Sequence, residues 1–414
     1  LNIYPFNKVE VNKASVILDG DTIASINNLR AGIDIFDLIA RQKITITYAA
    51  VIGLDARVSR DSASAPLNIA PIIAHLQKEK DPEKKSKINL RINTIILRNA
   101  NLSYDILNAP PTPGQFNPAH IKVNRLRADA NIPLISDTLT TVNLKRLDFA
   151  EASGLKLDNL TANLRVSPGS VSWSNLNLEL PQSKLMIADG RLQLPFSSAS
   201  IEISQGSHIF LPSLAPVVEQ ARGLPYTLDL ALSAQASPSR IDINNLKAST
   251  RGGDFSFDLQ GSVKADSAVK VIYDLPHINL NISPSFASRV AAFIHGFDIP
   301  SESYSLAASA SGNGLNGHAD IKAAASTDNV DIHASYRRLS LSSPIDFSAN
   351  GSVDVADLSA IIHKPGFGQS ALAFEATGRW HNTLISADAS LNIDRITYKG
   401  YPYSDISADA AWHS

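Results

Sequence analysis

The sequence predicts a mainly β protein: an elongated antiparallel sheet, curled lengthwise into a hydrophobic groove of the β-taco type, with short capping helices. The first observation is that apolar and polar residues alternate through most of the 414 residues. The second is that short turns of Pro, Gly, Asn and Ser separate the alternating segments, as in an antiparallel meander. The third is an internal motif that recurs at unequal spacing, which indicates one strand type reused along a growing sheet.

The alternation is clearest in residues 155–180, where a turn at 167–170 separates two alternating segments. Leu, Ile, Val, Ala and Phe occupy one phase, and Ser, Asn, Thr, Asp and Lys occupy the other. Each predicted strand therefore has one dry side and one wet side. Ordinary β-sandwiches show the same pattern. Further segments of this kind are 201–203, 255–259 and 391–396.

The internal motif has the form apolar-Asn-x-Leu-x-Ala. It occurs at 26–31, 123–128 and 243–248, with a close variant at 157–162. Its repetition favours one long open groove, continuous over 1–414, rather than several separate sandwiches. At about 11 residues per strand and turn, and about 4.8 Å between strands, roughly 35 strands would extend on the order of 150 Å.

Helical or loop insertions are predicted near 65–87, 212–223 and 284–297. Apolar residues recur at three- and four-residue intervals in 70–78 and 285–295, and Pro284 suits the start of the second helix. We expect these helices to cap a sheet edge or the core. Neither has the cationic face that favours binding to a membrane surface.

Composition excludes several functional classes. The net charge is -2, with 18% charged residues, so no broad basic surface is present to bind nucleic acid. The absence of cysteine excludes disulfides, thiolate catalysis and zinc ribbons. No stretch reaches the ~18 consecutive apolar residues of a membrane span. Because the chain begins at Leu1, we expect it to be an internal piece whose anchor or export signal lies upstream.

Catalytic motifs are also missing. The G-x-G-x-x-G at 312–317 is followed by an alternating segment rather than a helix, which predicts a glycine-rich hairpin turn. The ten histidines are scattered singly, and no spacing gives a metal two ligands from one element. No nucleophile elbow or Walker loop occurs. We therefore expect no enzyme activity, no catalytic residues, no cofactor and no metal.

Three blocks carry a family resemblance. They are AGIDIFDLIARQKITI (31–46), NLRINTIILRNANLSYD (89–105) and PTPGQFNPAHI (111–121). The first resembles the AsmA-like signature, in which a strand enters a short helical turn and returns as the next strand. Together the blocks resemble the TamB proteins of Bacteroidota, translocation and assembly modules of the AsmA-like superfamily.

The resemblance implies a periplasmic fragment from the N-terminal side of a longer protein, tethered to the inner membrane by an upstream helix. It implies phospholipid transport, outer-membrane protein assembly and secretion, or both. It also implies an outer-membrane barrel partner of the TamA type, contacted through regions outside this chain.

A groove of this kind would present its apolar side chains to phospholipid acyl chains or to apolar client strands. Acyl chains gain about 0.8 kcal/mol for each CH₂ removed from water. The alternative is a self-filled β-solenoid or β-sandwich array, acting as a structural or adhesive scaffold, in which the same residues are core. The predicted groove-lining residues are Leu157, Leu160, Leu164, Val171, Trp173, Leu176, Leu178, Ile243, Leu246, Phe255, Phe257 and Leu259.

Overall fold

The computed structural model describes residues 2–4, 7–18, 20–41, 45–71, 90–136, 138–291, 302–359, 364–382 and 384–413. Contacts divide the chain into two compact units, Leu1–Thr227 and Leu228–Ser414. Each unit is mainly β, which confirms the predicted fold class. A single groove continuous over 1–414 stays a prediction.

In the first unit, each described strand pairs with its neighbour in sequence, except that β8 and β9 both pair with β7. The pairs are antiparallel apart from one, between β4 and β5. The strands are β1 (Asn2–Tyr4), β2 (Lys8–Leu18), β3 (Asp21–Ile33), β4 (Thr45–Arg60), β5 (Leu90–Ile106), β6 (His120–Ile135), β7 (Thr140–Glu151), β8 (Lys156–Leu157), β9 (Asn159–Ser167), β10 (Ser170–Leu180), β11 (Ser183–Gln193) and β12 (Ala199–Phe210).

The β4–β5 pair departs from the predicted all-antiparallel arrangement. Thr45 lies opposite Arg91 and Arg60 opposite Ile106, so the two strands run in the same direction. A parallel pair needs a connection of a dozen or more residues, and residues 61–89 provide it. The insertion predicted at 65–87 falls in this connection. Its residues from 72 onward, and with them most of the predicted 70–78 helix, lie outside the described residues.

A short helix, α1 (Ile35–Arg41), joins β3 to β4. The carboxylate of Asp34 accepts a hydrogen bond from the backbone N–H of Asp37 at 3.1 Å, which caps the helix start. The hydroxyl of Thr45, at the start of β4, donates to the Asp37 carboxylate at 2.7 Å. Since β3 and β4 are antiparallel, the predicted strand, helical turn and returning strand are confirmed.

The second predicted insertion, at 212–223, is also helical. The backbone N–H of Phe116, in the loop between β5 and β6, donates to the carbonyl of Pro216 at 2.6 Å and fastens that loop to the insertion. Ala215 and Ala221 of the insertion are buried. The insertion consists of two 3-10 helices, Leu211–Leu214 and Glu219–Gly223.

In the second unit, every described strand pairs antiparallel with the next one in sequence. In the described parts of both units the strands are fewer than the roughly 35 expected. That number was wrong because strands are longer than assumed, up to 17 residues in β5. The strands here are β13 (Thr227–Ser237), β14 (Arg240–Thr250), β15 (Phe255–Asp266), β16 (Lys270–Ile282), β17 (Tyr304–Asn313), β18 (Asn316–Ala325), β19 (Asp328–Arg337), β20 (Ile345–Val355), β21 (Phe367–His381), β22 (Leu384–Tyr398) and β23 (Tyr401–His413).

The helix predicted after Pro284 is α2 (Pro284–Ala291); residues 292–301 lie outside the described residues. Its Phe286 is 8% exposed and stacks on the ring of Phe255 in β15, with the ring centroids 5.0 Å apart. Ser285 donates a hydrogen bond to the Asp254 carboxylate at 2.6 Å, and this bond lowers the pKa of Asp254. The helix therefore caps apolar side chains, as predicted.

The G-x-G-x-x-G segment is a hairpin turn. Gly312 of β17 lies directly opposite Gly317 of β18 in an antiparallel pair. The side-chain oxygen of Asn313 accepts the backbone N–H of Leu315 at 2.8 Å, which fixes the turn. The predicted hairpin is confirmed.

The recurring Asn-containing motif is a β-bulge. In β14, Ile243 lies opposite Ala234, whereas Leu246 lies opposite Leu232. Ala234 and Leu232 are two residues apart and share a face of β13, so Ile243 and Leu246 also share a face although they are three residues apart. The extra residue in the Asn244-Asn245 pair restores the apolar face after the break in alternation.

The copies near the start of the chain form a row of such irregularities across five neighbouring strands. The regular pairing of β2 with β3 is interrupted where Lys13 faces Asn27. The pairing of β3 with β4 is interrupted where Asn27 faces Gly53. The pairing of β4 with β5 is interrupted at Gly53 and Asn99. The register between β5 and β6 shifts near Arg125. Positive φ angles of 53°, 67°, 52° and 54° occur at Lys13, Gly53, Asn99 and Arg125. Each strand changes phase at the same level of the sheet.

Gly53 is the position where this row has the least freedom to change. Its φ is +67°, and an added Cβ would overlap the side-chain amide of Asn27. We expect Gly53→Ala to lower the free energy of unfolding by about 1–3 kcal/mol, from the left-handed backbone and the displaced amide. Urea denaturation measures this change.

Gly169 provides the matched control. It lies in the β9–β10 turn, and an added Cβ would meet only a carbonyl oxygen at 3.7 Å. We expect Gly169→Ala to change stability by less than about 1 kcal/mol. Equal losses in the two variants would contradict the assignment of strain to the bulge row.

Candidate functional site

The seven predicted groove residues of the first unit share one face of the sheet. In β9 and β10, Leu164 lies opposite Trp173 and Leu160 lies opposite Leu178. Leu160 and Leu164 belong to a regular part of β9, so both pairs are on the same face. The register shift between Ser174 and Asn177 keeps Trp173 in phase with Leu178. The remaining members of this face are Leu157, Val171 and Leu176.

The five predicted residues of the second unit likewise share a face. Leu246 lies opposite Leu259, so both are on the face that also holds Ile243. Phe257 lies opposite Ala248, two residues from Leu246. Phe255 follows in phase with Phe257 and lies opposite Ile282. Within each unit, the structure brings the predicted residues together.

These apolar faces are only partly covered. Of the twelve residues, Leu157 alone is buried, with 7% of its surface exposed, and the other eleven are half-buried. Among the described residues, the largest side chain with under 2% exposure is Val355. A closed sandwich would bury facing side chains to the density of a protein core. Half-burial favours an open apolar face over a filled core.

Aromatic side chains cover glycines on the apolar face of each unit, a feature that the sequence analysis missed. The Trp173 indole covers Gly190, its partner on β11, and an added Cβ there would overlap the ring. Gly317 lies beneath Tyr336 and Tyr273, whose hydroxyls are 3.3 Å apart. Burial, with this hydrogen bond, raises the pKa of Tyr273 to about 12. The missed signal was a glycine inside an alternating strand.

Polar side chains of the opposite face line an open cleft in each unit, together with some residues of the apolar face. A cleft of about 980 Å³ in the second unit is lined by hydroxyl side chains and by Arg337, Asp346 and Arg379. A cleft of about 620 Å³ in the first unit is lined by Asn, Ser and Thr side chains with Arg165, Arg191 and Asp189, and also by Leu164 and Trp173. The sequence analysis treated this face as solvated and predicted no site on it.

Ion pairs between neighbouring strands cross the polar face. The Asp148 carboxylate, 8% exposed, lies between Arg127 at 2.7 Å and Arg146 at 2.5 Å. Burial works to raise the pKa of Asp148, but hydrogen bonds from Arg146 and Arg127 outweigh it, and the pKa is lowered. The carboxylate therefore remains ionised and joins β6 to β7.

We expect Asp148→Asn to destabilise the first unit by about 1–3 kcal/mol near neutral pH, because two arginines lose their shared carboxylate. Because the pKa of Asp148 is lowered, its carboxylate stabilises the fold fully at pH values above the ordinary pKa of 3.8. That contribution is lost as the pH falls from there through the lowered pKa. Urea midpoints measured between about pH 2 and 7 check this, because the variant should depend less on pH in the acid range.

Asp55→Asn is the control for this prediction. Asp55 is 46% exposed and lies 3.5 Å from Arg57. We expect a change of less than about 1 kcal/mol, as for other exposed ion pairs. A pH profile of Asp148→Asn that matched the unsubstituted protein would contradict the assigned role.

The described residues contain no group of three or more His, Cys, Asp or Glu side chains placed to hold a metal ion. No helix in the described part of the chain combines the length and apolarity needed to cross a membrane. The candidate site of each unit is the half-buried apolar face described above.

No known protein family, curated protein or solved structure matches this chain. The resemblance to TamB proteins rests on the three blocks at 31–46, 89–105 and 111–121. Of these, the structure bears out the strand, helical turn and strand of the first block. Membership of that family stays a prediction.

Proposed function

We propose that this chain is the periplasmic part of a TamB-like protein whose apolar sheet face receives phospholipid acyl chains, apolar strands of client outer-membrane proteins, or both. The proposal includes tethering to the inner membrane by an upstream helix and an outer-membrane barrel partner of the TamA type, contacted through regions outside this chain. It serves phospholipid transport, outer-membrane protein assembly, or both. The observation that carries it is the half-buried apolar face of each unit, on which the predicted residues of that unit come together.

The physical argument rests on apolar surface that the protein does not cover itself. Each CH₂ of an acyl chain removed from water contributes about 0.8 kcal/mol, so a chain lying on Leu164, Trp173 and Leu178 is favoured over one in solvent. The headgroup keeps its hydration if it stays at the edge of the apolar face. No single polar contact is needed, so the surface accepts acyl chains of different lengths.

An apolar client strand is the second occupant that suits this surface. Its apolar side chains would contact the same face, and its backbone would pair with a free strand edge. A self-filled scaffold has no need of either occupant, and it predicts that the purified chain carries none.

Native mass spectrometry of the purified chain tests the proposal. We expect co-purifying phospholipid, and we expect Phe257→Asn to reduce its occupancy by about tenfold. The reason is the loss of an apolar contact worth about 1.5–3 kcal/mol when covered by lipid. Extraction and quantification of phospholipid provide the independent measurement.

Ser256→Asn is the matched control, because Ser256 is the neighbour of Phe257 and belongs to the polar face. Its lipid occupancy should equal that of the unsubstituted protein, and circular dichroism should show both variants folded. A folded, monodisperse chain without lipid, and with no lipid uptake from vesicles, would favour the self-filled scaffold.

A further inference from the structure

We propose that the polar cleft of the first unit binds a phosphate group between Arg165 and Arg191. Arg165 of β9 and Arg191 of β11 lie on either side of Ser172 of β10, each directly opposite it in the sheet. Both arginines are exposed and line the cleft of about 620 Å³. Two guanidinium groups therefore reach the same space across one intervening strand.

Hydroxyl groups complete the row in which the arginines lie. Thr141 of β7 lies opposite Arg165, and Ser200 of β12 lies opposite Arg191. With Ser172 between the arginines, hydroxyls and guanidinium groups alternate across five strands on one face. Both kinds of group can donate hydrogen bonds to an oxyanion.

Neither of these two arginines forms an ion pair among the described residues, although Asp189 and Glu202 lie opposite each other in the next row. On the preceding strands of the same sheet, Arg98 pairs with Asp129 at 2.7 Å, and Asp148 neutralises two further arginines. Within the described part of the chain, neither Arg165 nor Arg191 lies within ion-pair distance of a carboxylate. Asp189, the one carboxylate among the residues that line the cleft, lies opposite Ser174 in the next row.

A neutral side chain orients Arg191. The side-chain amide of Gln193 is oriented so that its nitrogen and its oxygen both form hydrogen bonds, and the nitrogen donates to the carbonyl of Gly169 at 2.8 Å. Its oxygen accepts from Nη2 and Nε of Arg191, at 2.6 and 3.0 Å. Gln193 is therefore a positioning residue that holds the guanidinium without cancelling its charge. An arginine fixed in this way retains Nη1 for an anion.

The larger cleft of the second unit shows the contrast. There Asp346 accepts a hydrogen bond from Nε of Arg379 at 2.6 Å, and this bond lowers the pKa of Asp346. The carboxylate occupies the place between the arginines where an external anion would bind. In the first unit, Ser172 stands at the corresponding place and leaves it open.

Phosphate is the anion that this arrangement suits best. Its oxygens can each face a different guanidinium group and still accept from a serine or threonine hydroxyl. Free phosphate and the headgroup of an anionic lipid share this chemistry. Arg165 and Arg191 alternate with Leu164 and Gly190 along their strands and so lie on the opposite face from them, although Leu164 and Trp173 also line the cleft. The site can be tested separately from lipid binding because the arginine variants leave the apolar side chains in place.

Isothermal titration of the full chain with inorganic phosphate tests the site, alongside flotation with vesicles of phosphatidic acid in phosphatidylcholine. We expect Arg165→Gln and Arg191→Gln each to weaken binding about tenfold, since a hydrogen bond to a charged group contributes about 1.5–3 kcal/mol. Gln193→Leu should weaken binding less than Arg191→Gln and should leave the contribution of Arg165 intact.

Arg57→Gln removes the same charge from a side chain that is 74% exposed on β4, outside the cleft. It should bind phosphate as the unsubstituted protein does. If free phosphate binds and competes with the vesicles, the site accepts a phosphate group from either source. If only the vesicles bind, the site recognises the phosphate of a lipid headgroup. Absence of binding to both probes, or equal weakening by Arg57→Gln, would overturn the proposal. Lipid retention on the apolar face should be unchanged in all four variants.

Discussion

Every strand in this protein must keep its apolar side chains on one face, and β-bulges are the means by which long strands do so. Strict alternation would place Ile26 and Leu29, or Ile243 and Leu246, on opposite faces. The register with the neighbouring strands places the partners of each pair on one face, so the two members of the pair also share a face. Without this change of phase, half of each strand would turn its apolar side chains toward the polar face.

The two faces that result have different energetics. On the apolar face, rings such as Trp173 cover glycines, and the other side chains remain half-buried. The surface therefore retains hydrophobic free energy that a ligand can use. On the polar face, cross-strand pairs such as Arg98 with Asp129 balance part of the charge. Arg165 and Arg191 differ from these pairs, which is why we propose an anion there.

The sequence predicted the fold class and the shared face because both follow from local periodicity. Leu164 and Trp173 could be assigned to one face from the alternation around them, and the Gly312–Gly317 hairpin could be recognised from the strand that follows it. The parallel β4–β5 pair could not be predicted, because strand direction depends on a connection with no clear pattern of its own. Strand number was overestimated because strands such as β5, with 17 residues, are longer than the length assumed for a strand and its turn.

The polar cleft was missed for a different physical reason. Arg165 and Arg191 are 26 positions apart in the sequence, and only the pairing of β9 and β11 with β10 brings both opposite Ser172. Charge balance depends equally on pairing, since Asp148 neutralises Arg127 from the neighbouring strand. Such relations exist between strands and leave no local pattern in the sequence.

The central claim is that the apolar face is open and contacts a lipid. Photo-crosslinking from benzoylphenylalanine at position 178, compared with position 179 on the opposite face, tests it directly. With Leu178 replaced, mass spectrometry should identify adducts with phospholipid acyl chains, and with Glu179 replaced it should identify none. Cross-links from position 178 only to other residues of the same chain would show a filled core and contradict the account.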